Sequence, residues 1–196
     1  MGVRLIVERP VHTIETNVEG TQAVLEACGR GQVPVLIAST SEVYGKSTRI
    51  PFREDDDLVL GATRHSRWAY ACSKALDEWL ALAFARERNQ AVIITRLFNT
   101  VGPRQTARYG MVLPNFASQA LQGDPITVYG SGDQSRCFAH VRDVVEALVR
   151  LMRTRAAFGE VFNVGTDREV SINELAAIVR ATARMYPAPR GLGPRS

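Results

Sequence analysis

The stretch VLIASTSEVYG, residues 35–45, runs from a short apolar segment straight into a cluster of hydroxyls and one carboxylate. Val35 to Ala38 carries no polar side chain on either face, the pattern of a strand buried on both sides, and such strands belong to parallel sheets covered by helices. Ser39, Thr40, Ser41 and Glu42 come where that strand ends. Open α/β sheets place their ligands at the carboxyl ends of their strands, so these four are candidates for a site. Read alone, Ser and Thr there also suit a helix cap or a turn.

Outward from this stretch the chain alternates. Towards the N-terminus, Thr13 to Cys28 has helical spacing, with Ile14, Val18, Val24 and Leu25 on related faces and Gly29 and Gly31 expected to end it. Towards the C-terminus, Ile50 to Arg64 is acidic and then glycine-containing, and reads as a surface loop. Ser66 to Arg88 is an amphipathic helix with Tyr70, Leu76, Trp79, Leu80 and Phe84 as its expected inward residues. AVIITRL, residues 91–97, is a second buried strand, and Gly102-Pro103 breaks the chain after it. A helix over Val112 to Leu121, a strand over Ile126 to Tyr129, a loop from Gly130 to Ser135 and a helix over Val141 to Met152 are expected next. A short strand at Val161 to Val164 and a helix capped by Ser171 and running to Ala183 complete the order. Alternation of this kind argues for an α/β fold with a mainly parallel sheet. The tail from Tyr186, rich in proline and glycine, is expected to be disordered.

The bulk properties narrow the function classes. With 196 residues, 45% of them apolar and 22% charged, the chain suits one globular enzyme-like domain with room for a small lobe. The net charge of +4 is scattered along the chain outside its Arg-rich ends, whereas a nucleic-acid binder concentrates Lys and Arg on one helix or arm. No apolar run approaches the length of a membrane-spanning helix, and no secretory leader pattern opens the chain. Cys28, Cys72 and Cys137 are far apart and fit neither a disulfide framework nor a metal site, which points to thiols in a reducing cytoplasm.

The sharpest local signal is YACSK, residues 70–74. Four residues on a helix put Tyr70 and Lys74 on one face. A phenol ionises near about pH 10; an adjacent lysine cation favours the phenolate and makes it usable as a general base near neutrality. The plainer reading is a core tyrosine followed by a solvated lysine.

STSEVYG, then YxxxK in a long helix, then RLFNTVGPR, in that order, resembles the extended short-chain dehydrogenase/reductase family that acts on nucleotide sugars. The similarity runs from about Val11 to Ala183. It implies a partial Rossmann-like, doubly wound parallel sheet with part of a small C-terminal substrate-binding lobe. Residues 1–110 would form the catalytic part of an NAD-binding domain, 111–185 would contribute to both sheet and lobe, and 186–196 would be the tail. NAD is the implied cofactor, with Asn17, Ser39, Tyr70 and Lys74 around it. Tyr70 would accept the proton of the sugar 4-hydroxyl, Lys74 would tune Tyr70 and bind the nicotinamide ribose, and Thr40 would lie beside the 4-hydroxyl. Ser41, Asn99 and Arg136 would bind the substrate, the last two at its diphosphate, where an arginine fork pairs two phosphate oxygens. Full-length members of the family commonly dimerise through the YxxxK helix and its neighbour, with Trp79 and Leu82 as candidates for that face.

A glutamate at position 42 resembles the decarboxylases and 4,6-dehydratases of the family, with Glu42 assisting at C5. Lyase chemistry on a UDP-sugar is therefore the leading expectation, and a 4-epimerase the alternative. His65-Ser66-Arg67-Trp68 has no counterpart assigned in the decarboxylases. Neither the family's GxxGxxG turn nor the strand before it occurs in this sequence, and its far end departs from the family pattern too. The chain is thus expected to be truncated at both ends, with inner strands left at a sheet edge. An inactive remnant or binding module is the reading from another class.

Overall fold

The computed structural model describes residues 8–105 and 111–185, so the expected disordered tail lies outside the described residues. Helix α1 (Pro10–Gly31) begins with proline at its first turn, where a missing N–H costs no hydrogen bond. It does not stop at Gly29 as expected. It continues to Gly31 and ends at Gln32, whose left-handed backbone (φ 52°) returns its N–H to Cys28 and Gly29 carbonyls. Strand β1 (Val35–Thr40) extends the expected strand by two residues, and a single turn of 3-10 helix (Ser41–Tyr44) follows it directly. Helix α2 (Trp68–Arg88) and strand β2 (Val92–Leu97) come next, then β3 (Asn99–Val101), α3 (Val112–Gln122), β4 (Ser135–His140), α4 (Val141–Met152), β5 (Val161–Val164), β6 (Glu169–Ser171) and α5 (Ile172–Met185).

Two three-stranded sheets organise these elements. The first has the order β1-β2-β5 and is parallel throughout, with Val35 opposite Val92 and Ile94 opposite Val161. Its β1 is an edge among the described residues. One face packs on α1 and α2 through Leu25, Val35, Ile37, Ala81, Phe84, Val92 and Ile94. The other packs on α4 through Val144, Val164 and partly buried Leu97, Leu148 and Phe162. The second sheet, β3-β4-β6, is mixed: β3 runs parallel to β4, and β6 antiparallel to it. Its lobe closes over Phe116, Ile172 and Leu175.

Three expectations need correction. Ile126 to Tyr129 is not a strand. It is pinned instead by the Gln119 side chain, which accepts from Thr127 N (3.1 Å) and donates to Thr127 Oγ1 (3.1 Å), while Ile126 and Val128 pack into the lobe. Thr127 N is thus met by a side chain, and Tyr129 O accepts from Gln134 Nε2 (3.1 Å). The strand of this region is β4, which begins at Ser135, where a loop was expected to end. On α2, Phe84 is buried and Leu80 half-buried as expected, but Leu76 and Trp79 are 45% and 59% exposed. The inward face of α2 is mixed instead: Ala71, Ala75, Ala81 and Phe84 are buried together with Ser73, Lys74, Asp77 and Glu78.

Candidate active site

The site is built where β1 ends and α2 begins. Thr40 leaves the strand and caps the 3-10 turn, its Oγ1 accepting from Glu42 N at 3.2 Å. Tyr70 faces it from the first turn of α2, where the neighbouring Thr40 hydroxyl favours the phenolate. Burial nevertheless pushes the Tyr70 hydroxyl above its ordinary range, helped by the charges of Glu42 and Asp77. Glu42 opens to solvent on one side, yet protein encloses enough of the rest that burial raises its carboxyl. The Arg67 and Arg136 guanidiniums pull it back down. Thr40, Glu42 and Tyr70, named from two separate motifs, therefore share one mouth.

Lys74 follows Tyr70 on α2, one turn further along the helix. Its Nζ donates to Asp77 Oδ2 at 2.8 Å, and Asp77 is fully buried. The lysine charge is thus paired with a buried carboxylate. Burial raises Asp77 despite that pairing; Thr21 favours its ionised form, but Oδ1 still closes no hydrogen bond. Asn17 reaches the same helix from α1, donating from Nδ2 to Ser73 Oγ (2.9 Å), which in turn donates to Tyr70 O (2.9 Å). It fixes the tyrosine's turn of helix from behind.

Ser39 is turned away from the mouth. It is buried, and its hydroxyl donates to Glu78 Oε1. Glu78 also takes Arg96 in a fork, Nη2 to Oε2 at 2.8 Å and Nε to Oε1 at 3.1 Å. The remaining Arg96 donor, Nη1, reaches Tyr44 Oη (2.9 Å) and Glu54 O (3.0 Å), and Tyr44 donates on to Asn163 Oδ1 (2.8 Å). This network ties the catalytic helix to β1, β2, β5 and the 46–66 loop. Sequence reading missed Tyr44, Asp77, Glu78 and Arg96. A signal was present: an arginine inside AVIITRL is an ion in a buried strand, and a buried ion needs a partner.

The second cluster lies on the small lobe. Asn99 and Arg136 line a cavity of about 380 Å³ between α3 and β4, with Phe116, Tyr129 and Gln134. Asn99 Nδ2 donates to Cys137 O (3.0 Å), leaving its oxygen free to accept, while the Arg136 guanidinium keeps all but one donor direction after bonding Ser135 O (2.8 Å). Tyr129 is 83% exposed, its ring presented to solvent. Ser41 is half-buried in the turn between Thr40 and Glu42. Among the described residues no three His, Cys, Asp or Glu side chains converge on a metal-sized site. None of the described helices is long and apolar enough to cross a membrane.

A parallel sheet whose strand end offers a hydroxyl and a carboxylate to a Tyr-Lys helix defines a short-chain dehydrogenase type of centre. Residues 1–165 match the NAD dependent epimerase/dehydratase family, and the chain belongs to it. It is 46% identical over 177 residues to UDP-N-acetyl-alpha-D-glucosaminuronate decarboxylase of Bacillus cytotoxicus, covering 90% of this chain and 54% of that protein. It is 41% identical over 176 residues to UDP-glucuronic acid decarboxylase 4 of Arabidopsis thaliana, covering 88% and 38% respectively. Its fold is similar to a crystal structure of UDP-glucose 4-epimerase with UDP-glucose from Thermotoga maritima, at TM-score 0.86 and 26% identity, covering 97% and 62%. The chain spans about half the length of the Bacillus decarboxylase and less of the plant one.

Proposed function

We propose that the chain supplies the catalytic and substrate-binding residues of an NAD-dependent nucleotide-sugar lyase that decarboxylates a UDP-uronic acid. The observation that carries this reading is Glu42 standing at one mouth with Thr40 and Tyr70, which gives a second acid/base group beyond the one a 4-epimerase requires. The similarity to two decarboxylases supports the same branch.

The donor set fits the nicotinamide-ribose end of the cofactor. Lys74 has three N–H donors, one of them on Asp77, and it lies a turn from Tyr70. When bound, the oxidised nicotinamide supplies a hydride acceptor for C4 and a positive ring that favours the Tyr70 phenolate. Tyr70 takes the 4-hydroxyl proton while Thr40 orients that hydroxyl. The resulting 4-keto sugar holds its C6 carboxylate β to a carbonyl, so the C5–C6 bond breaks with loss of carbon dioxide and its electron pair moves to the C4 oxygen. Glu42 then handles the proton that returns to C5. On the lobe, Asn99 and Arg136 hold the diphosphate, and the exposed Tyr129 ring is placed to stack on the base. Dimerisation through α1 and α2, and a cytoplasmic setting for its three free cysteines, belong to the same reading.

The test is to incubate the chain with NAD⁺ and, separately, UDP-glucuronate and UDP-glucose, and to follow the nucleotide sugars by mass spectrometry. NAD retained by the purified chain is released by acid and counted alongside. Loss of carbon dioxide from UDP-glucuronate is the expected result. A mass-neutral 4-epimer of UDP-glucose would move the assignment to an epimerase, and loss of water to a 4,6-dehydratase.

A further inference from the structure

Among the described residues, Arg67 is a charged group at the mouth that this chemistry leaves without a task. It immediately precedes α2, and residues 67, 70 and 74 follow one another along one side of a helix, so it continues the Tyr70–Lys74 face outward. Its guanidinium is held over the Trp68 ring, Cζ 4.7 Å from the centroid. The indole is itself fixed: Gly61 lies so close that a Cβ there would come within 2.0 Å of Trp68 Nε1. Arg67 thus stands on a rigid aromatic platform, and among the described residues its side chain closes no hydrogen bond and no salt bridge. It acts on Glu42 by charge alone. Arg136 acts on Glu42 too, but from the nucleotide cavity that it lines; Arg67 lines no part of that cavity.

A uronic acid brings a second carboxylate to a mouth that already holds Glu42. Two carboxylates at close range repel unless a cation lies between them. Arg136 is engaged on the diphosphate side, and Lys74 is paired with Asp77. We propose that Arg67 receives the sugar carboxylate of the substrate and selects a 6-carboxylate sugar over a 6-hydroxymethyl one. The inference rests on the nucleotide-sugar reading above and adds a residue to it. As carbon dioxide leaves, the negative charge moves from the carboxylate towards the C4 oxygen, so Arg67 favours the bound substrate more than the bond-breaking step. Removing it is therefore expected to raise KM without lowering kcat.

Calorimetric titration of the full chain with UDP, UDP-glucose and UDP-glucuronate tests this. The wild-type chain is expected to prefer UDP-glucuronate over UDP-glucose by on the order of tenfold, the worth of one charge-assisted pair. Arg67→Met is expected to abolish that preference while leaving UDP affinity unchanged, which also shows that the variant is folded; Arg67→Lys should restore part of it. A preference that survives Arg67→Met, or that the wild type lacks while binding UDP, overturns the assignment of Arg67 alone. Failure of the wild type to bind UDP overturns the nucleotide-sugar reading and this inference with it.

Discussion

Lys74 donates to Asp77 at 2.8 Å inside α2, with the acid fully buried and the lysine nearly so. The YxxxK spacing puts Lys74 on the same face as Tyr70, but the following carboxylate, one turn nearer the sheet, captures the ammonium. Tyr70 is left with burial and two neighbouring acids pushing its hydroxyl up, and only Thr40 opposing them. Burial and the two acids thus hold the Tyr70 hydroxyl above its ordinary range, while the Lys74 ammonium is paired with Asp77.

Asp77→Asn should lower the ionisation range of Tyr70. Asp77 raises it by its charge, and the substitution both removes that charge and releases Lys74. The measurement is tyrosinate absorbance across a pH titration, taken as the difference from the same chain carrying Tyr70→Phe. An unchanged Tyr70 in the Asn variant would show that Asp77 does not control the lysine.

Glu42 sets the acid side of the pH profile. Burial raises its carboxyl, and the cations Arg67 and Arg136 oppose the rise, while Tyr70 is the titratable group facing it. If the ionised carboxylate is the working form, activity falls on acidification at a pH above the ordinary carboxylate range. Arg136→Met removes one opposing cation, so burial acts less hindered and that limb moves to higher pH. A limb that stays in place, or moves down, in the variant would contradict this, as read from kcat/KM against pH.

The Arg96–Glu78 fork is buried on both sides, at 6% and 4% side-chain exposure, and its other donors and acceptors are met by Ser39, Tyr44 and Glu54. Arg96→Met leaves Glu78 as an uncompensated buried charge and should cost about 3–5 kcal/mol of stability. Adding Glu78→Gln to it removes the stranded charge, so the double variant should lose less than the sum of the single losses. Urea unfolding of the single and double variants gives both numbers. Additive losses would mean that the two residues are not energetically coupled.

Much of the fold was legible because it is written in apolar runs. Val35 to Ala38, Ala91 to Leu97 and Val161 to Val164 are short and largely apolar, with Arg96 the one charge among them, and all three lie in the first sheet. The small lobe was harder. β4 spells Ser-Arg-Cys-Phe-Ala-His, with no alternation that marks a strand, whereas Ile126 to Tyr129 has the composition of one and is held by a glutamine side chain instead. On α2 the periodic reading failed in polarity: the helix buries Glu78, paired with Arg96 on β2, and Ser73, which accepts from Asn17 on α1, and turns Leu76 and Trp79 outward. Of the candidate site residues, Thr40, Ser41, Glu42 and Tyr70 gather at the strand end, Asn99 and Arg136 line the lobe cavity, and Asn17 bonds Ser73 from α1. Ser39 and Lys74, each one hydrogen bond from a carboxylate, could be placed only by the partners that claim them.

That outward face is the last testable point. Leu76 and Trp79 on α2 are exposed at 45% and 59%, and Val11 and Ile14 on α1 at 65% and 43%. The two helices are neighbours, joined by the Asn17–Ser73 hydrogen bond, so their exposed apolar residues can form one patch. Apolar residues grouped on a surface mark an interaction site more often than isolated ones do, and a closed two-fold contact between equivalent helices would cover them. Sedimentation velocity should show a dimer, and Trp79→Glu should shift it to monomer by at least on the order of tenfold in dissociation constant, since a buried unpaired charge would replace an anchoring aromatic. A dimer of unchanged affinity would place the contact elsewhere and leave this face to another partner.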